Sequence, residues 1–421
     1  MTFRVANHPL IQTLRSLEGN PKACVYTEPL FGIPFNLYTP YASIYMVGLG
    51  LVDQQIGLIA SINLAIQIFT ALLGGAITDK LGRRLTTFVF DLIAWSIPVL
   101  ILIFAQNFWY FLAAAIFNSA WRVTHTSWTC LLVEDARADQ LVHIWVWVYI
   151  AGLVAAFFTP LAGLMVGRYT LVPAVRGLYI FAFFMLTAKF FILYFFSTET
   201  GRGKERIAET RHQSIFSLLA EYRGVVGIIL RTPATLLTLG IMIIMGIYTT
   251  VNGTFWAILV TQKLHIPAEN IALFSFIRSM VILGMFFVVT PRITTQRIRL
   301  PLLVGFSGYI LSQFILISMP AQSYVLLSLT VIVEACSMAL VNPLVDSLLV
   351  VNVDPKERAR ITSILFVVIF IFISPFGWIA GRLSSIDKTL PFVLNLVLFG
   401  IALVLSWLAA RRPQMNAESN K

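Results

Sequence analysis

Seven charged residues interrupt long apolar stretches of this 421-residue chain: Glu28, Asp91, Arg122, Lys189, Arg278, Glu334 and Asp346. A charge in hydrocarbon costs at least about 2.5 kcal/mol, so each needs an opposite charge, hydrogen bonds or a water-filled cavity. The chemistry open to such groups is the handling of protons and charged solutes; the alternative for each is a buried pair that fixes helix packing or a chain that reaches an interface. Arg122 stands in the middle of Asn118-Ser-Ala-Trp121-Arg122-Val-Thr-His125. On a helix Asn118, Arg122 and His125 share one face. An arginine stays charged, so its work is to hold an anion or to tune a carboxylate. His125 has a ring that titrates near neutral pH, although a lone helical histidine is more often simply hydrogen-bonded. Glu28 and Asp346 are the acids chosen as sites of proton coupling. Asp91 is too shallow to place at a central site, and Lys189 is read as structural.

The polar residues around these charges extend the candidate site. Residues 28–45 hold Pro29, Pro34 and Pro40, so this segment is expected to be kinked or broken. Its Asn36, Tyr38 and Tyr41 are candidates to line a cavity for a hydroxylated or amphipathic solute. An interfacial aromatic belt is the competing account, and it fits the segment ends better than the middle. Tyr248, Asn252 and Trp256 occupy the comparable place in the second half of the chain. Ile56 to Asn63 aligns weakly with Ile271 to Arg278, which puts Asn63 and Arg278 at equivalent positions facing the cavity from opposite halves.

Positioning these side chains requires membrane-spanning helices. Apolar residues make up 58% of the chain and charged ones only 12%, half of what a soluble domain carries, so soluble, disordered and fibrous classes are excluded. A span takes about 20 apolar residues. Runs bounded by charge or turn clusters fall near 25–50, 55–78, 86–106, 108–133, 141–167 and 177–197, then 228–261, 269–290, 300–319, 322–350, 360–382 and 390–410. The expected fold is all-α and polytopic, with twelve transmembrane helices in two six-helix bundles. The expected units are a cytoplasmic segment 1–24, bundles at 25–197 and 228–410, a linker at 198–227 with an amphipathic helix from Ile215 to Tyr222, and a tail at 411–421. Outside the spans, basic residues concentrate in one set of alternate segments; only Arg168, Arg176, Lys263, Arg382 and Lys388 fall on the other side. That bias places both termini and the linker in the cytoplasm. The net charge of +11 is accounted for by these loops and does not call for nucleic acid. Cys24, Cys130 and Cys336 are too scattered for a disulfide framework or a metal site, and no cofactor is implied. The N-terminus has no uninterrupted apolar region with a cleavage site, so no signal peptide is read.

Between the second and third spans stands Gly75-Ala-Ile-Thr-Asp79-Lys80-Leu-Gly82-Arg83-Arg84. This resembles the Gly-x3-Asp-(Arg/Lys)-x-Gly-(Arg/Lys)-(Arg/Lys) loop of the major facilitator superfamily, and the pattern of six spans, charged linker and six spans extends the resemblance over essentially the whole chain. Gly75 would let two helices approach and Gly82 would allow a tight reversal. Asp79, Arg83 and Arg84 can pair with charged partners, of which Glu134 and Asp135 are the candidates. The resemblance implies that this loop, with Lys80, latches the two halves together on the cytoplasmic side in the outward-open state. It also links an arginine at the place of Arg122 to proton transfer or substrate binding, although the glycine that follows in the family is Thr126 here. Pro160-Leu-Ala-Gly163 departs from the family's antiporter motif at Thr159, so antiport is not read from it.

The expected function is a secondary transporter in the cytoplasmic membrane that moves a small organic solute by alternating access, coupled to protons and sufficient as a monomer. An anionic or polyhydroxylated solute fits the arginines and the Asn/Tyr face. A lipophilic-cation efflux pump fits the buried acids. A sensor that keeps the fold without transport is the reading from another class. No HExxH, GxSxG or P-loop is present, so no enzyme is expected.

Overall fold

The computed structural model describes residues 9–137, 140–211, 233–288, 299–351 and 358–409. Ten helices among the described residues are long and apolar enough to cross a membrane. Two further segments of membrane length are broken in the middle, and together they give twelve, numbered α1–α12 here. In the first bundle α1 runs Gly19–Tyr38 and then Ala42–Gly48, α2 is Asp53–Leu81, α3 is Arg83–Ile103 and α4 is Phe108–Asn118 plus Trp121–Val133. α5 comprises Leu141–Ala155 and Thr159–Tyr169, and α6 is Leu171–Phe196. The second bundle holds α7 (Pro233–Ile258, extended by a π turn at Leu259–Lys263), α8 (Ile271–Val288), α9 (Arg299–Ser318), α10 (Tyr324–Val351), α11 (Arg358–Ile386) and α12 (Leu390–Ala409).

The interruptions have local causes. α1 carries Pro29 and Pro34 and breaks at a 3-10 turn over Thr39–Tyr41, where Pro40 removes another backbone donor. α4 opens on Asn107, whose side chain accepts from the Trp109 amide at 3.1 Å, and it breaks at Ser119 and Ala120. α3 contains a π turn at Leu92–Ser96. The linker is helical over Gly201–Thr210, with Thr200 as its N-cap. The interfacial helix expected from Ile215 to Tyr222 lies outside the described residues.

Large apolar side chains stand exposed around the outside, among them Phe69, Leu164, Phe184, Phe195 and Val325. A hydrocarbon solvent explains such a surface, because helices satisfy their own backbone and leave side chains to meet lipid. The two bundles meet along α2 with α11, α5 with α8, and α1 with α7. The face bearing the Gly82 turn is called the loop face below, and the opposite one, where α2 begins and α11 ends, the far face.

Candidate functional site

Glu334 on α10 is 3% exposed and collects three donors from two other helices. The Tyr248 hydroxyl donates to it; Asn252 Nδ2 reaches Oε1 at 2.8 Å, and Arg278 Nη2 reaches Oε2 at 3.3 Å. Tyr248 is held from behind by the rings of Tyr309 and Phe399. Trp256 lies under the Arg278 guanidinium at 5.5 Å. Asn252 Oδ1, Trp256 Nε1 and Arg278 Nε are buried without a hydrogen-bond partner. Three polar atoms beside one buried carboxylate can therefore still accept or donate a hydrogen bond. Tyr248, Asn252 and Arg278 are cavity candidates from the sequence, and Glu334, one of its intramembrane acids, is the group they meet.

Arg122 presents the opposite case. Its Nε donates to Gln67 Oε1 at 3.0 Å, and no acid pairs with it among the described residues. The guanidinium stacks on Trp121 of its own helix at 3.9 Å and on Phe370 of α11, across the bundle seam, at 4.4 Å. Two rings on its faces leave the outer edge of the fork for a planar anion. Gln67 is fixed in turn by Asn63 Oδ1 at 2.7 Å, and Asn63 donates to the Ala115 carbonyl at 2.7 Å. Gln67 was missed in the sequence, where its signal is a second amide one turn from Asn63. His125 is exposed and meets Trp121 edge-on.

Several expected site residues sit elsewhere. Asn118 does not share a face with Arg122: the helix breaks between them, and Asn118 donates to the Ala94 carbonyl of α3 at 3.0 Å. Tyr38 is packed in the first bundle against Tyr179 rather than lining a cavity. Tyr41 is fully buried where the α1 break meets α7 and α8. Asn36 donates to its own helix at Gly32, 2.8 Å away. Glu28 is tied to Lys189 at 2.8 Å inside the first bundle, with Asp91 nearby on a hydrogen bond of 2.7 Å from Thr124. Asp346 lies on α10, where its side chain falls outside the described residues.

The bundles are closed against each other at the far face. A Cβ on Gly57 would come within 2.3 Å of the Gly377 carbonyl, and one on Gly163 within 2.5 Å of the Glu269 carbonyl. Small residues thus sit on both seams. Ser61 Oγ accepts from the Trp378 amide at 2.7 Å. Asp53 of α2 takes the Lys388 ammonium at 2.5 Å and the Ser384 hydroxyl.

At the loop face the motif residues hold one another. Arg83 reaches Glu134 with Nε and Nη2 at 3.1 Å each and Asp79 with Nη1 at 3.1 Å. Asp79 also takes Arg206 of the linker helix at 2.8 Å. Hydrogen bonds that Arg206 donates to Asp79 and Glu209 push its pKa upward. Glu199 accepts from the backbone N–H groups of Arg83 and Arg84 at 2.8 and 3.1 Å, so a carboxylate caps the start of α3. Arg84 donates to the Tyr194 carbonyl at 2.7 Å, and Asp135 accepts from Asn20 at 2.8 Å. Gly82 turns with φ +86°, and a side chain there would strike Glu199. Gly74 makes a close approach to α4. Lys80 ends α2, half-buried. The partners shown for Asp79, Arg83 and Arg84 therefore belong to the first bundle and the linker, and the expected bridge to the second bundle is not among them. The second bundle's counterpart loop, 290–298, lies outside the described residues.

The sequence profile of the Major Facilitator Superfamily matches residues 30–377. No curated protein sequence matches the chain. Among solved structures, a single-residue variant of the nucleoside transporter NupG is similar with a TM-score of 0.71 at 17% identity, covering 93% of this chain and 99% of that one. A POT family transporter in complex with 5-aminolevulinic acid gives 0.69 at 13% identity, covering 95% and 98%. The human organic anion transporter MFSD10 gives 0.64 at 15% identity, covering 95% and 100%. At these identities the likeness is one of fold.

Proposed function

The chain belongs to the major facilitator superfamily, and from that premise we propose that it is a secondary transporter that carries a small organic anion by alternating access, with Glu334 as its proton-coupling acid. The single observation that carries the substrate class is Arg122: a half-buried guanidinium at the seam between bundles with no acid beside it among the described residues. Arg278, the intramembrane arginine of the second bundle, is held by Glu334. A proton on Glu334 Oε2 removes the charge that retains Arg278 and frees that guanidinium for the substrate. Two arginines, one from each bundle, then grip one anion. The anion moves the equilibrium only because it binds the two conformations differently.

Glu28 is a weaker choice for coupling because Lys189 already neutralises it. A lipophilic cation is less well served, since Glu334 already carries three donors. The loop face is assigned to the cytoplasm on the distribution of basic residues. With the far face closed, solute is excluded from that side in this conformation.

The test is a thermal-shift panel of purified protein in detergent with carboxylates, sugar phosphates, sugars, amino acids and lipophilic cations at two pH values. An anion is expected to stabilise the wild type and to lose that effect in Arg122→Ala. A lipophilic cation that stabilises Arg122→Ala as well as wild type, and needs Glu334, overturns the assignment.

A further inference from the structure

Two amide side chains deep in the second bundle have no partners at all. Gln313 on α9 and Asn395 on α12 are both 0% exposed, and all four of their polar atoms are buried without a hydrogen bond. A buried polar group left unpaired is costly, and native proteins rarely tolerate several together.

The register of the two helices brings these amides to one level. The rings of Tyr309 on α9 and Phe399 on α12 stack at 4.5 Å and 12°. α9 ends and α12 begins at the far face, so the helices run antiparallel. Gln313 lies four residues beyond Tyr309 and Asn395 four residues before Phe399, so each is just over one turn, about 6 Å, nearer the far face than the stacked pair. The Tyr309 hydroxyl is also buried and unpaired, and its ring packs on Tyr248 at 5.1 Å. Tyr248 donates to Glu334. Polar groups thus run from Gln313 and Asn395, through Tyr309 and then Tyr248, to the buried acid, inside a bundle that is otherwise mostly apolar and also buries Ser312, Thr330 and Ser337.

We propose that Gln313 and Asn395 form a water-binding site within the second bundle, and that water held there passes protons between the far face and Glu334. Two amides offer donors and acceptors to satisfy such a water, and a polar, enclosed site is where internal water is found. A proton then has a route of its own through the second bundle while the seam between bundles is shut at the far face. The route rests on Glu334 as the coupling acid; the water site does not.

Two measurements separate these. Gln313→Cys and Asn395→Cys, in a protein with Cys24, Cys130 and Cys336 replaced by alanine, are exposed to aqueous silver ion, and labelling is read by mass. Ala402→Cys, packed in the apolar cluster on α12 at 0% exposure, is the dry control. Both test cysteines are expected to react much faster than the control; equal, slow labelling overturns the water site. Infrared spectroscopy after a pH jump in nanodiscs then follows carboxyl protonation. Glu334→Gln is expected to remove one carboxyl band. The double variant Gln313→Leu/Asn395→Leu is expected to keep that band and lose its fast rise, with little change in melting temperature because both amides and the water they hold are replaced together by apolar groups. A fast rise retained in the double variant overturns the route with the coupling acid intact. A band unaffected by Glu334→Gln overturns the coupling acid, and the route with it.

Discussion

The Lys388 ammonium lies 2.5 Å from the Asp53 carboxylate, and the two residues belong to different bundles. Asp53 is buried, so the pair holds the far face shut where charge is poorly screened. Removing Lys388 leaves that carboxylate with Ser384 alone, at a cost to the closed conformation of about 3 kcal/mol, the lower end for a broken buried pair. Lys388→Ala is therefore expected to populate the conformation open at the far face. Spin-label distances between α2 and α11 at that face should lengthen; an unchanged distribution counts against the pair as a lock.

Lys189 is the ammonium that faces both Glu28 and Asp91. Lys189→Met leaves two carboxylates in the interior of the first bundle and should destabilise the protein by about 3–5 kcal/mol. Adding Glu28→Gln should recover much of the loss, because the orphaned charge goes with it. Denaturation in mixed micelles measures both; equal stability of the single variant and the wild type would show that the pair is immaterial.

Arg206 joins the linker helix to Asp79 through two nitrogens, at 3.1 and 2.8 Å. The pair is partly exposed, so Arg206→Ala is expected to cost no more than about 1 kcal/mol in global stability. Its local effect should be larger, because the linker helix loses its hold on the loop. Faster limited proteolysis near residues 201–210 is the expected outcome, with Asp79→Asn giving the same pattern.

Asp387, in the turn between α11 and α12, accepts from Lys263 at 2.7 Å and from Thr389. These hydrogen bonds, that from Lys263 first, hold its carboxyl below the usual range. A depressed folded-state pKa gives stability that is present above the unfolded value, near pH 4, and lost as pH falls below it. The melting difference between wild type and Asp387→Asn should therefore be flat from neutrality to about pH 5 and shrink below about pH 4. The residue is exposed, so the effect is small; a difference that grows on acidification contradicts the assignment.

Twelve segments and their order were legible because lipid demands long apolar runs, and length is a property of sequence alone. The α1 break was legible from its prolines. The α4 break was not, since Ser119 and Ala120 are ordinary helix residues, and that break separated Asn118 from Arg122. Depth and partner are the harder quantities. Tyr38 and Tyr248 look alike in sequence, yet one packs within the first bundle and the other meets Glu334. Choosing among four intramembrane acids requires knowing which helices touch, and apolar helices carry little periodicity to say so. Within the loop motif Asp79 and Arg83 pair as their charges suggest, but Arg206 and Glu199 come from a linker whose docking left no spacing signal.

Glu199, Thr200 and Arg206 lie past the last span of the first bundle, yet they complete the turn at Gly82. A stretch that looks like a tether is thus a structural part of the half that precedes it. If the transporter is made as two separately expressed fragments, the break belongs after Thr210. A first fragment ended at Ser197 would leave the amides of Arg83 and Arg84 uncapped and Asp79 without Arg206, and would meet its other half misshapen.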